Sequence, residues 1–70
     1  MSTKLRSLRV GAGLTQQQLA KKLGVTGVTV HRWEAGNVMP KPKYIKKMAD
    51  LFGVKGQDIF LDLITTKVDN

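Results

Sequence analysis

The side chains with the most chemical capacity in this chain are its cations. Twelve Lys and Arg stand against five acids, with one histidine, His31, and no cysteine. A lone imidazole without thiols cannot build a zinc site. Four scattered aspartates and Glu34 offer neither paired carboxylates nor a nucleophile next to a base. The residue inventory therefore argues against an enzyme, a metal site or a cofactor, and for holding an anion. Residues 1–49 carry ten Lys or Arg against the single acid Glu34, a balance of +9, whereas residues 50–70 balance to −2. The first part is the expected polyanion surface. DNA, RNA and an anionic membrane all fit, as does a solvated basic face that only keeps the chain soluble.

The elements that must position these cations are helices. Seventy residues make one small domain, expected over 1–64, that buries only roughly 60% of its unfolded surface. Ser2 or Thr3 can cap a first helix over about 3–12, with Leu5, Leu8 and Ala12 at helical spacing and "GAG" as its stop. Thr15 with Gln18 three residues on is a capping-box pattern. The helix that follows places Leu19, Ala20 and Leu23 on one face and ends at Gly24. Thr26 can cap a third helix through Ala35, before Gly36. "NVMPKPK" reads as an ordered loop with Pro42 in the first turn of the fourth helix, whose Ile45, Met48, Ala49 and Phe52 follow i, i+3, i+4, i+7. A fifth helix, about 56–64, is expected to turn Ile59, Phe60 and Leu63 to the core. Leu61 and Ile64 are less obviously placed, and residues 65–70 are expected to form a flexible tail. The N-terminus has no continuous apolar segment, and no run reaches the ~18 apolar residues of a membrane span, so neither signal peptide nor membrane helix is expected. Together with the missing cysteines this fits a soluble protein of a reducing cytoplasm.

Helices two and three, joined by a glycine turn, predict a helix-turn-helix. Two short helices crossing at about 90–120° need apolar residues on their facing sides, a small residue where the backbones approach, and a turn residue that tolerates positive φ. Leu19, Leu23, Val25, Val30 and Trp33 supply the first, Ala20 the second and Gly24 the third. A helical bundle in which these residues are only core would satisfy the same pattern.

The stretch from Leu5 to about Leu63, with "LTQQQLAKKLGV", "WEAG" and "IKKMADLFGV" followed by "DIF", resembles the five-helix DNA-binding domain of the phage lambda repressor and Cro type. The resemblance implies an all-α fold, a compact five-helix lambda-repressor-like domain whose third helix, about 27–35, enters the major groove of double-stranded DNA; that docking geometry is known for the family. At 100° per residue, Val30 and Trp33 point inward together and leave Val28, His31 and Arg32 facing out, with Gly27 at that face's edge and Thr29 toward the other flank. Arg32 can donate two hydrogen bonds to guanine O6 and N7, and Val28 can pack on a thymine methyl. His31 stands between a DNA contact and an exposed bystander.

By resemblance, Gln16, first in the second helix, would hold a phosphate, with Gln17, Thr26 and Thr29 as further candidates. Asn37, Lys41 and Lys43 would meet phosphates beside the following helix; each is otherwise an ordinary solvated side chain. The resemblance also implies that Arg9 pairs with Glu34 to brace the reading helix. One departure stands out: many relatives have a polar base-reading residue at the first position of that helix, where this chain has Gly27. The expected function is a sequence-specific transcriptional regulator of phage or mobile-element type, a Cro-like repressor or genetic-switch controller. It would act on a double-stranded DNA operator, as a homodimer on DNA. The alternatives are an interaction module that modulates a partner repressor protein, and an antitoxin or restriction-modification controller.

Overall fold

The computed structural model describes the backbone of residues 4–68 and the side chains of residues 4–64. Those residues form five helices and no strand: α1 (Lys4–Gly11), α2 (Gln16–Leu23), α3 (Gly27–Ala35), α4 (Pro42–Phe52) and α5 (Gly56–Val68). Local chemistry sets their ends. Thr15 Oγ1 accepts from the Gln18 N–H at 3.0 Å while Gln18 Oε1 accepts from the Thr15 N–H at 2.9 Å, so the capping box that opens α2 is complete. Gly24 ends α2 at φ 78°, a left-handed conformation that would strain a residue with a Cβ, and its N–H reaches the Ala20 carbonyl. Thr26 then caps α3 through the Thr29 N–H at 3.2 Å. Pro42 occupies the first turn of α4, where its missing N–H costs nothing. The suggested Ser2 or Thr3 cap of α1 lies outside the described residues.

Every helix contributes to one core. Leu5, Leu19, Ala20, Leu23, Val30, Trp33, Ile45, Met48, Ala49, Ile59 and Leu63 are buried, and Leu8, Leu14, Val25, Met39, Tyr44, Phe52 and Val54 pack around them half-buried. Each fully buried Leu, Ile or Val contributes about 1.5–3 kcal/mol from burial. This offsets the weak intrinsic helix preference of α3, which is rich in Val, Thr and Gly. α3 packs chiefly on α2 and α1 chiefly on α5, while α4 touches both α2 and α5. The start of α1 is also fixed to α5, since the Lys4 backbone N–H donates to Asp62 Oδ2 at 2.5 Å. A carboxylate beside a helix N-terminus is favoured by the helix dipole.

Three expectations need correction. Ala12, expected on the inward face of the first helix, is exposed, because α1 ends at Gly11 and the chain turns away from the core there. Phe60, expected in the core, is 42% exposed. Ile59 and Leu63, four residues apart, take the inward face, and Phe60, about 100° round the helix, lines an open apolar groove with Met39, Pro42, Ile45, Ala49 and Val54. The last helix also continues to Val68, beyond residue 64, since no Gly or Pro interrupts the hydrogen-bond ladder after Gly56. The side chains of 65–70, where a flexible tail was expected, lie outside the described residues.

The register of α5 can be checked by denaturant unfolding. Ile59→Ala should cost about 2–5 kcal/mol as a buried truncation, whereas Phe60→Ser should cost under about 1 kcal/mol, in line with its exposed position.

Candidate nucleic-acid interface

The candidate site is built on α3, whose two faces have opposite tasks. Val30, Trp33 and Glu34 are buried; Val28, His31 and Arg32 are exposed, Val28 to 60%, and Thr29 is half-buried. The outward row is thus one apolar patch, one imidazole and one guanidinium on consecutive turns. The inward row locks their direction, because Val30 and Trp33 are almost wholly enclosed by the other helices.

Below that row lies a buried ionic contact. Arg9 Nε donates to Glu34 Oε2 at 2.6 Å and Arg9 Nη2 to Glu34 Oε1 at 3.3 Å, with both residues under a tenth exposed. The remaining fork of the guanidinium is also used, since Nη1 donates to the Leu14 carbonyl at 2.7 Å. Among the described residues, no buried side-chain polar atom lacks a partner. Arg9 belongs to α1 and Glu34 to α3, two helices that do not pack extensively on each other, and the ion pair links them directly. Bidentate geometry of this type fixes direction as well as distance.

Gln16 joins the same carboxylate. Its Nε2 donates to Glu34 Oε1 at 3.0 Å and lies 3.5 Å from His31 Nδ1. Because a carboxylate only accepts, the amide nitrogen must face it. The first residue of α2, expected at a phosphate, is therefore already engaged inside the protein, half-buried between Glu34 and His31. Gln17 is exposed beside it, and Thr26 is exposed at the start of α3. The Thr26 and Thr29 hydroxyl oxygens are 2.9 Å apart. If Thr29 donates, the Thr26 proton stays available to an outside acceptor. Asn37, Lys41 and Lys43 are exposed, Asn37 tied through its N–H to the Arg32 carbonyl at 3.0 Å.

Gly27 opens α3 without a positive φ. A Cβ there would meet Gln17 Cα at 3.6 Å and Gln17 Cβ at 3.8 Å, ordinary contact distances, so the approach of α2 to α3 does not require glycine. The sequence pattern does not predict the roles of Leu14 and Tyr44 or the contact between Gln16 and Glu34. The capping box gives the direction of Gln16 on α2 but not that Glu34 arrives beside it. Tyr44 stacks on Trp33 at 5.6 Å with the rings tilted by 40°, and an aromatic one position before Ile45 was the available signal. Among the described residues no group of three His, Cys, Asp or Glu could hold a metal ion, and no helix is long and apolar enough to cross a membrane.

A helix-turn-helix family model matches residues 5–59. An uncharacterized HTH-type transcriptional regulator of Methanocaldococcus jannaschii is 46% identical over 61 residues, covering 87% of this chain and 92% of the relative. The HTH-type transcriptional activator BcrR of Enterococcus faecalis is 39% identical over 51 residues, 73% of this chain and 25% of its own length. The cryptic phage CTXphi transcriptional repressor RstR of Vibrio cholerae is 34% identical over 61 residues, 87% of this chain and 55% of its own. No solved structure gives a significant match.

Breaking the buried pair from one side should be costly. Arg9→Ala or Glu34→Ala leaves an uncompensated buried charge and should lower stability by about 3–5 kcal/mol in urea unfolding. Arg9→Met with Glu34→Leu should recover most of that loss, because it removes both charges together.

Proposed function

The chain belongs to the helix-turn-helix family of the lambda repressor and Cro type, and from that premise we propose that it is a transcriptional regulator that binds an operator in double-stranded DNA. The observation that carries this reading is the outward row of Val28, His31 and Arg32 on a helix whose opposite face is fully anchored. Laid in the major groove, Arg32 donates to guanine O6 and N7, Val28 packs on a thymine methyl, and His31 reaches a base edge or phosphate. Gln17, Thr26, Thr29, Asn37, Lys41 and Lys43 hold phosphates and set register without reading sequence. Gln16 joins them by exchanging its bond to Glu34. Arg9 and Glu34 brace the reading helix.

Gly27 sharpens the assignment. Since α2 leaves room for a Cβ there, helix packing does not demand glycine, and in the proposed complex its absence of a side chain lets the backbone of α3 come nearer the DNA and leaves specificity to Val28 and Arg32. Regulation is by occupancy, since a protein seated on an operator excludes polymerase or a competing regulator. The Vibrio cholerae relative favours a repressor of phage or mobile-element type, a Cro-like controller of a genetic switch, while the Enterococcus relative is an activator by name. Two copies would engage half-sites about 34 Å apart. Leu61, half exposed on α5, and the neighbouring Ile64 are the proposed self-association surface.

A second reading, a module that acts on a partner repressor protein, is favoured by the apolar groove that Phe60 lines. The two separate in a titration against a duplex selected from a random pool and against its scrambled form, over a salt series. An operator binder should prefer the selected duplex with a steep salt dependence, and Arg32→Ala should lose about 1–3 kcal/mol of that preference. Equal and feeble binding to both duplexes would favour the interaction module.

A further inference from the structure

Two lysines of α4 converge on one aromatic ring. Lys43 Nζ lies 5.0 Å and Lys47 Nζ 5.9 Å from the centroid of Tyr44, within cation–π range. They stand one helical turn apart, where like charges repel, and neither is paired with a carboxylate among the described residues. The ring supplies a modest attraction to each. Tyr44 is itself half-buried against Trp33, the anchor of α3 that directly follows Arg32 in the chain. One aromatic pair therefore joins the anchor of the reading helix to the ring on which both ammonium groups rest.

We infer that Tyr44 is a positioning residue that holds Lys43 and Lys47 as a paired cationic platform for the phosphates of one DNA strand. The backbone contact thereby extends past the 37–41 loop along α4. This rests on the operator-binding reading and adds to it a third lysine, Lys47, and the residue that aims it together with Lys43. A polyanion would relieve the repulsion between the two lysines. Its position relative to Arg32 would be fixed through Trp33, which is how phosphate contacts set the register of base reading. Lys43 and Lys47 are both exposed, so the platform is open to a strand from outside.

The test uses the full chain with the selected and scrambled duplexes over a salt series. Lys47→Gln should weaken binding to both duplexes by the same factor and lower the slope of log affinity against log salt by about one, while Lys47→Arg keeps the slope. Tyr44→Phe should bind as the unaltered protein does. Tyr44→Leu, measured at a temperature where melting shows it folded, should weaken both duplexes equally. In the Lys43→Gln, Lys47→Gln background it should have no further effect. A slope unchanged by Lys47→Gln overturns the platform. So does a Tyr44→Leu loss that persists without the lysines, or a Tyr44→Phe loss as large as that of Tyr44→Leu. If the unaltered protein does not distinguish the duplexes, the operator reading fails, while the slopes on the scrambled duplex still decide the platform.

Discussion

The contact on which the site depends is the bidentate pair between Arg9 and Glu34. The helices fall into packed neighbours, α3 on α2 and α1 on α5, with α4 touching both groups, and this pair adds a direct link between α1 and α3. Removing two charges from water is expensive, and a buried pair is no proof of net stability. Its value lies in direction. The guanidinium fork spends its three nitrogens on Glu34 and the Leu14 carbonyl, which leaves α3 little freedom to rotate about its own axis. The amide of Gln16 brings the start of α2 to the same carboxylate, so three helices meet at one acid.

From that constraint the division of α3 follows. The helix is short and composed of poor helix formers, yet it is capped by Thr26, closed at Gly36 and sealed by Val30 and Trp33. Tertiary burial and caps outweigh propensity here, as is usual for helices of this length. A helix held from within can present an outward face that its own stability does not dictate. This is why valine, histidine and arginine can share one exposed row, and why glycine can stand at its start.

Much of the fold was legible because it is written in local chemistry. Thr15 with Gln18, Thr26, Gly24, Gly36 and Pro42 mark helix ends by mechanisms that act within four residues, and the structure uses each of them. The inward faces of α2, α3 and α4 were equally readable from their period. What escaped depends on which element arrives opposite. The period of α5 could not tell that Ile59 and Leu63 would fill the available core and leave Phe60 at a groove. Nor could it show that Asp62 would cap α1 across 58 positions. The Arg9 and Glu34 positions were legible only through family resemblance. That Gln16 would be occupied by Glu34, and Tyr44 by Trp33 and two lysines, is a property of three-dimensional neighbours.

In the proposed complex the braced helix delivers the Arg32 guanidinium to the major-groove edge of a guanine. That contact can be isolated by replacing single guanines of the selected duplex with 7-deazaguanine, which lacks the N7 acceptor, and measuring affinity for the unaltered protein and for Arg32→Ala. At one guanine per half-site the replacement should weaken the unaltered protein by about 1–3 kcal/mol and leave Arg32→Ala unchanged. Equal losses in the two proteins at every guanine, or none in the unaltered protein, would contradict it.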